Sequence, residues 1–339
     1  MRIAVDAMGG DRGPSTVVDG VKMIMRDLPS DVELLVVGKS RHLKRLFSLK
    51  RADHPRVHLV DAPQVVKMTD KPRDSLKLKD SSIATATRLV KEGEAQALVT
   101  PGNTGAAMAH MMMSWRLLPE IDRPALAGIL PTPTGLTTVL DMGANVDCKP
   151  HHLVQFAIMG VCYARDMLGI ENPRVGILTI GEEETKGNEQ VLAARQLLKK
   201  STLLFKGNAE GRDLMTGEFD VVVCDGFVGN IVLKFAEGFA KFIIRGLKTE
   251  VSNSLVAMLG AVAMAPAVKK FGKRVDASEF GAVPLMGVNG VGFIGHGGSN
   301  AKAISNAIRS AVHFSKRRVN DRITDLVQEN LHVISGSAK

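Results

Sequence analysis

The sequence predicts an α/β fold in which a mostly parallel β-sheet is flanked by helices. Short apolar runs alternate with amphipathic helical segments from the N-terminus onward, which is the pattern of βαβ units. Five of the apolar runs are each followed by a short loop rich in glycine and asparagine. These loops are Asp6–Pro14, Thr100–Ala106, Asp141–Pro150, Gly181–Glu189 and Asp225–Asn230.

The position of these loops predicts a ligand site. In an open α/β sheet, ligands bind at the carboxyl ends of the strands. Glycine there lets the backbone approach a ligand, and the following helix presents free N–H groups to an anion. We therefore expect the five loops to converge on one rim and to form an anion-handling site.

The elements follow from apolar periodicity and from turn residues. The predicted strands are Ile3–Val5, Val32–Gly38, Arg56–Asp61, Ala97–Val99, Leu136–Leu140, Val175–Ile180 and Val221–Cys224. The predicted helices lie near Ser15–Leu28, Arg41–Leu49, Ser81–Glu92, His151–Leu168, Glu189–Lys199, Asn230–Lys248 and Ala301–Val312. Pro14 suits the first turn of the first helix.

A further helix follows Asn103, and its apolar stripe indicates core packing. The stripe has i, i+3, i+4, i+7 spacing and consists of Met108, Met111, Met112 and Trp115. We find no internal repeat and no linker, so residues 1–339 are interpreted as one unit of closely packed lobes. We place a lobe boundary near Arg123 and expect the polar tail, 316–339, to fray.

Composition narrows the class of protein. The chain has 339 residues, 45% of them hydrophobic, with three cysteines that lack metal-ligand spacing and are expected to be buried thiols. The N-terminus reads as a strand rather than a signal peptide, and no apolar stretch reaches the about 18–20 residues of a membrane helix. The net charge of +9 favours an acidic or phosphate-bearing partner. Only 4% of residues are aromatic, which argues against nucleic acid.

Residues 255–274 are unusual because a long apolar segment is followed by cations. One helical face would carry Leu255, Met258, Leu259 and Val262, and the cations are Lys269, Lys270, Lys273 and Arg274. One interpretation is a buried or dimer-interface helix. The other is an interfacial helix, with apolar side chains in lipid and lysines on anionic head groups.

Two loops offer groups that stabilise negative charge. Lys186 can hold phosphate or a developing oxyanion, and it lies in a loop with Glu184 and Asn188. The alternative is a solvated lysine beside a helix N-terminus with acidic residues. Asn230 offers a neutral amide donor to an oxyanion, or it caps a helix, and Asp225 caps the turn.

Two further loops are candidate phosphate sites. Asn103, Thr104 and the N–H of Gly105 suit a phosphate nest, although a plain helix cap has the same sequence. In the other loop, Asn145 is accompanied by Asp147, which orients a cation or holds the turn before the next helix.

The histidines, carboxylates and cysteines suggest other roles. We interpret His296 as a structural or capping residue and Cys224 as buried, and we expect His151 and His152 to face solvent. Asp6 and Asp11 lack a completing set of carboxylates, so no metal is expected. The chain contains no P-loop, no dinucleotide fingerprint after the first strand and no nucleophile elbow.

The loops taken together resemble the PlsX family, the phosphate acyltransferases of bacterial phospholipid synthesis. The resemblance covers nearly the whole chain. It rests on the ordered motifs DAMGGD, MTDKP, GNTGA, IDRPALA, GANVDCKP, QFAIMG, NPRVGILTIGEEETKGNE, GNAEGRD, VVVCDGFVGN and HGGSNAKAI. It implies a dimer with a fold like that of isocitrate and isopropylmalate dehydrogenases and of phosphate acetyltransferases.

The resemblance also implies a reaction and its residues. Acyl–acyl carrier protein and inorganic phosphate would give acyl phosphate, without a cofactor, for a membrane glycerol-3-phosphate acyltransferase. The family's active-site lysine falls on Lys186 and its asparagine on Asn230, while Asn103 with Thr104 and Asn145 match two further loops. Departures from the family pattern stand at Thr69, at Thr100 with Pro101, and at Asn300, where an aspartate is common.

We expect a cytoplasmic enzyme that associates peripherally with the anionic inner face of the membrane. Three alternatives remain open: a phosphate acetyltransferase that uses small acyl-CoA, a dehydrogenase of the same fold group, and a non-catalytic membrane scaffold. A nucleic-acid binder is the weakest alternative, because no helix-turn-helix or zinc-finger pattern is present.

Overall fold

Two β-sheets and a set of packed helices form the protein, and the computed structural model describes residues 1–275, 279 and 281–335. The side chains of residues 255 and 273–275 lie outside this description. The strands are β1 (Arg2–Asp6), β2 (Glu33–Gly38), β3 (Val57–Asp61), β4 (Ala97–Thr100), β5 (Ala125–Leu126), β6 (Gly128–Pro131), β7 (Leu136–Leu140), β8 (Val175–Leu178), β9 (Phe205–Ala209), β10 (Val221–Val223), β11 (Ala282–Met286) and β12 (Gly292–Gly295).

Helices follow most of the strands. They are α1 (Gly13–Ile24), α2 (Ser40–Lys50), α3 (Pro72–Ser75), α4 (Ser82–Lys91), α5 (Thr104–Trp115), α6 (Pro150–Leu168), α7 (Glu189–Lys200), α8 (Gly226–Ser252), α9 (Leu255–Val275), α10 (Ala301–Arg317), α11 (Val319–Glu329) and α12 (Leu331–Ser335). A short 3₁₀ turn lies at Asp213–Met215.

The predicted α/β class with mostly parallel sheets is confirmed. The first sheet has the strand order β3-β2-β1-β4-β12-β11-β5, and the second has the order β6-β7-β10-β8-β9. Pairing is parallel from β3 through β12 in the first sheet and from β7 through β9 in the second. The antiparallel strands β5, β6 and β11 lie where the two sheets meet.

One extended segment, residues 125–131, joins the two sheets. Its first part pairs with β11 and its second part pairs with β7, and the Leu126 carbonyl continues the second ladder by accepting from Met142 N at 3.0 Å. Because β11 is antiparallel to both β5 and β12, while β7 is antiparallel to β6, β7 runs opposite to β12 and β4. The five loops therefore follow strands of two sheets with opposite directions, and their convergence on one site stays a prediction.

Helix α6 lies in the core, and fifteen of its residues are buried. The apolar stripe of α5 packs as predicted, with Met111 and Trp115 buried and Met108 and Met112 partly buried against the same cluster. The Trp115 indole N–H donates to the Thr87 carbonyl at 2.9 Å, which satisfies the one polar atom of that ring.

The C-terminal segment corrects the expectation of a fraying tail. Helix α11 places Val319, Ile323 and Val327 in the core, and Ile334 of α12 is also buried. The segment contains few apolar residues, but they recur at helical spacing, so one face is apolar although the average is polar. Residues 336–339 lie outside the described part of the chain.

Helices α8 and α9 are adjacent and expose much apolar surface. In α8 the buried residues are Gly226 and Gly229. In α9 the exposed fractions of Met258, Leu259 and Val262 are 46%, 73% and 74%. Burial of α9 within its own chain is therefore excluded, whereas the dimer-interface and membrane interpretations stay open. No helix in the described residues has the length and apolar character needed to cross a membrane.

Candidate active site

Three of the glycine-rich loops meet at neighbouring strand ends of the second sheet. Strand β10 lies between β7 and β8, and all three strands are parallel. Their carboxyl ends carry Asp141–Pro150, Asp225–Asn230 and Gly181–Glu189, which we call together the second-sheet rim. The other two loops, Asp6–Pro14 and Thr100–Ala106, follow strands of the first sheet.

Asn230 does not cap a helix. The side chain of Asp225 caps α8 by accepting from Val228 N at 2.8 Å, so Asn230 lies inside the helix in its second turn. Its side chain is exposed next to Gly143, where an added Cβ would lie 3.4 Å from the Asn230 Cβ. Within the described residues, no hydrogen bond engages its amide, so Asn230 is free to donate to a ligand.

Asp141 organises the rim and was missed by sequence reasoning. Its fully buried carboxylate accepts from the backbone N–H groups of Leu126, Gly143, Ala144 and Asn145 at 2.7–3.1 Å. Burial raises the pKa of Asp141, and the hydrogen bonds from Ala144, Leu126 and Asn145 oppose that rise. The signal in the sequence that could have identified Asp141 is its position directly after an apolar run.

Asn145 holds the loop together with its side chain. Its amide donates to Asp141 Oδ2 at 2.9 Å and to the Pro124 carbonyl at 2.6 Å, and its own carbonyl accepts from Gly226 N at 2.8 Å. Both amide hydrogens are therefore engaged, so this side chain does not offer a free donor to phosphate. Asp147 is exposed at the same loop.

The start of α8 packs tightly against Asp141. A Cβ at Gly226 would lie 2.6 Å from Asp141 Oδ2, and a Cβ at Gly229 would overlap the Asp141 carbonyl oxygen. Two glycines therefore allow the helix backbone to touch the loop that Asp141 holds. This contact fixes Asn230 relative to the loop.

Lys186 extends from the third loop with an unengaged ammonium group. Its amide donates to the Glu183 carbonyl at 3.0 Å, and its carbonyl accepts from the Thr179 hydroxyl at 3.1 Å. The stem of the side chain lies over Gly181, where an added Cβ would be 2.8 Å from Lys186 Cγ. Its Nζ has no ion pair or hydrogen bond with any residue that the structure describes.

Two acidic residues of this loop, Glu182 and Glu184, bind other cations. Glu184 pairs with Arg195 and with Lys199, and hydrogen bonds from these cations lower the pKa of Glu184 to about 2. Glu182 pairs with Arg212. Asn188 caps α7 by accepting from Val191 N at 2.9 Å. Glu184 and Asn188 are therefore placed to support the loop.

The other predicted residues lie at the rim of the first sheet. Asn103 caps α5 through Ala106 N at 3.0 Å and donates to the carbonyls of Met68 and Asp70, so its side chain is engaged. Thr104 is exposed, and Gly105 lies against Pro72.

His296 and Asn300 also belong to this first rim. His296 Nδ1 accepts from Gly298 N at 3.0 Å, and Asn300 caps α10 through Ala303 N. Asn103, Thr104 and Gly105 follow β4 of the first sheet, whereas Lys186 and Asn230 follow strands of the second sheet.

His151 and His152 are buried, which corrects the expectation that they face solvent. They open α6 beneath the segment that contains Asp122, and His151 Nε2 lies 3.2 Å from Asp122 Oδ2. Burial lowers the pKa of both imidazoles, that of His152 to about 4.

Asp122, His151 and His152 place potential metal-ligand atoms within 4.8 Å of one another. However, His152 Nδ1 accepts a hydrogen bond from Lys149 N at 3.0 Å, so its Nε2 carries the ring proton. In this tautomer His152 has no free lone pair. The arrangement is therefore a hydrogen-bonded cluster rather than a prepared metal site.

Comparison with known proteins identifies the family. The family model described as "Fatty acid synthesis protein" matches residues 1–322. A phosphate acyltransferase of Pelotomaculum thermopropionicum is 47% identical over 329 residues, covering 97% of this chain and 95% of that protein. One of Heliobacterium modesticaldum is 48% identical over 333 residues, covering 98% of each chain.

Solved structures support the fold alone. A phosphotransacetylase from Streptococcus pyogenes superposes with a TM-score of 0.64 at 15% identity, covering 93% of this chain and 94% of the other. The EutD phosphotransacetylase from Staphylococcus aureus superposes with a TM-score of 0.62 at 14% identity, and the coverage of the two chains is the same. The chain belongs to the fatty acid synthesis protein family, and like its curated relatives it is an acyltransferase.

Proposed function

We propose that the chain transfers a fatty acyl group from acyl–acyl carrier protein to inorganic phosphate and so supplies acyl phosphate for phospholipid synthesis. The observation that carries the proposal is the pair of unengaged polar side chains at the second-sheet rim. Lys186 and Asn230 follow the adjacent strands β8 and β10, and each exposes a donor that the described residues leave free. The names of the relatives supply the acceptor, phosphate.

Charge stabilisation and placement are the main requirements of this reaction. A phosphate oxygen attacks the thioester carbon, the new C–O bond forms, and the carbonyl becomes an oxyanion. The oxyanion collapses, the C–S bond breaks, and the pantetheine thiolate leaves. Lys186 neutralises the anionic phosphate, and Asn230 donates to the oxyanion.

A covalent enzyme intermediate is not part of this mechanism. Two thiols, Cys148 and Cys224, lie at the rim, and Cys224 is buried as predicted. Burial raises the pKa of Cys148 to about 12 and the pKa of Cys224 well above its ordinary value. Both thiols are therefore protonated and weakly nucleophilic at neutral pH.

The exposed apolar surface of α8 and α9 supports the remaining parts of the proposal. It would be covered by a second copy of the chain and by an anionic membrane, where acyl phosphate passes to a membrane glycerol-3-phosphate acyltransferase. Exposed Leu259 and Val262 precede Lys269 and Lys270, which matches an apolar face with cations at the lipid head groups. Leu255, Lys273 and Arg274 belong to the same segment, but their side chains lie outside the described residues.

The test compares acyl donors. Phosphate-dependent consumption of long-chain acyl–acyl carrier protein is measured with acyl phosphate trapped as hydroxamate, in parallel with long-chain acyl-CoA and acetyl-CoA. Turnover with the carrier-protein donor is expected. Turnover with acetyl-CoA alone would instead indicate a phosphate acetyltransferase, and no turnover with any donor would favour a non-catalytic scaffold.

A further inference from the structure

We propose that Asn208 is a positioning residue that holds Lys186 in its reactive place. The inference rests on the proposed function, because it concerns the lysine of the same site. Asn208 lies on β9, the edge strand next to β8, and sequence reasoning gave it no role. Three structural features of β9 and of the Gly181–Glu189 loop support the inference.

The first feature is an irregularity that turns Asn208 toward the loop. Val175 pairs with Phe205, but the next residue of β8, Gly176, pairs with Gly207, so Lys206 is an extra residue in β9. Gly207 has a φ of +121°, which favours glycine. A bulge of this kind reverses the alternation of side chains along a strand and redirects the residues that follow it.

The second feature is that Asn208 uses both amide hydrogens on the Lys186 loop. Its Nδ2 donates to the Gly181 carbonyl at 3.0 Å and to the Glu183 carbonyl at 2.7 Å. These two carbonyls lie beyond the last backbone hydrogen bond between the two strands, which Thr179 N donates to the Ala209 carbonyl at 2.8 Å. The edge strand thus holds the loop through a single side chain.

The third feature is that the two held residues are those that carry Lys186. Glu183 accepts the Lys186 amide hydrogen, and Gly181 lies under the stem of its side chain. Since the Lys186 ammonium has no partner in the described part of the chain, its position depends on this backbone. Loss of the Asn208 bonds would therefore move the ammonium relative to Asn230.

A purely stabilising role for Asn208 fits less well. Its Oδ1 is buried and has no hydrogen-bond partner among the described residues. A buried acceptor without a partner is destabilising, so Asn208 is a poor choice for stability alone. An amide that must donate twice to fix a loop accounts for both observations.

The experiment is a double-mutant cycle with a matched control. Asn208→Ala, Lys186→Ala and the double variant are compared by kcat, by KM for the acyl donor and by melting temperature. The control is Asn320→Ala, because Asn320 Nδ2 also donates to two carbonyls, those of Val288 at 3.1 Å and Gly290 at 3.0 Å.

Asn208→Ala is expected to lower kcat by about 10- to 100-fold, the effect of misplacing a reacting group by about 1 Å. Its KM should stay close to that of the parent enzyme. The double variant should be no slower than Lys186→Ala, since Asn208 acts through Lys186. Asn320→Ala should lose a similar amount of thermal stability and keep its kcat.

Three outcomes would overturn the inference. The first is an Asn208→Ala variant that keeps its kcat, and the second is a double variant in which the two losses multiply. In both cases a slow Lys186→Ala variant leaves the proposed function intact. The third is normal turnover of Lys186→Ala, which removes Lys186 from the chemistry and ends this inference, although the turnover itself would support the proposed transfer.

Discussion

Asparagine and aspartate residues have two different roles at the loop ends of this chain. Asn103, Asn188, Asp225 and Asn300 each accept a backbone N–H at the start of a helix. Asn230 does not, because Asp225 starts the helix five residues earlier and leaves the Asn230 amide free. The chemical availability of each side chain therefore depends on where its helix begins.

At the residue scale, the buried histidine pair predicts a pH dependence of stability. The pKa of His152 falls from 6.5 toward about 4 on burial, so the folded protein keeps this imidazole neutral while the unfolded chain protonates it. Between these two pH values the unfolded state binds more protons than the folded state. The stability gained by keeping His152 neutral is therefore fully present above pH 6.5 and is lost as pH falls toward 4.

We expect His152→Gln to flatten this dependence, because glutamine does not titrate and its amide oxygen can accept the Lys149 N–H. Urea unfolding of both proteins between pH 4 and pH 7 measures the effect. His42→Gln, at an exposed position of α2, is the control and should keep the parental slope. Equal slopes for His152→Gln and the parent would contradict a buried neutral His152.

At the element scale, the contact between α8 and the Asp141 loop holds Asn230 in place. The contact is backbone against backbone, since Gly229 lies on the Asp141 carbonyl. A rotamer change cannot relieve a clash with backbone, so the helix start must shift when a side chain is added. The residue that shifts with it is Asn230, the next in the chain.

Gly229→Ala is therefore expected to destabilise the protein by about 1–3 kcal/mol, as overpacking does, and to lower kcat. Unfolding and turnover are measured on the same preparation. Gly238→Ala is the matched control in the same helix, because nothing lies within 4 Å of its added Cβ. The free energy of unfolding of that control should rise by about 0.5–1 kcal/mol. A Gly229→Ala variant with the stability and turnover of the control would contradict the contact.

At the scale of the whole molecule, the helical pair α8 and α9 carries most of the large apolar side chains that are exposed in the described structure. Phe235 and Phe239 stack at 5.9 Å on α8, and both are more than half exposed. Monomeric proteins rarely expose so much contiguous apolar surface. This surface is the basis for proposing a dimer and a membrane contact.

The membrane part of this proposal predicts a charge effect. Each lysine near an anionic membrane contributes about 1 kcal/mol to the free energy of binding. Replacing both Lys269 and Lys270 by glutamate should therefore weaken binding to anionic vesicles by about tenfold or more. Liposome flotation measures this. Reversal of Arg88 and Lys91, exposed cations on α4, is the control and should leave flotation unchanged. Equal flotation of both variants would contradict an electrostatic contribution of Lys269 and Lys270 to membrane binding.

The sequence by itself determined the α/β class, the buried stripe of α5 and most helix positions, because these depend on periodicity and on residues close in the chain. It also pointed to Lys186 and Asn230 through a full-length resemblance. The tertiary structure decided how the loops are divided between two sheets, since the segment at residues 125–131 pairs with a strand of each sheet. Burial of His151 and His152 and the role of Asn208 were likewise decided by contacts between distant segments, which no local pattern specifies.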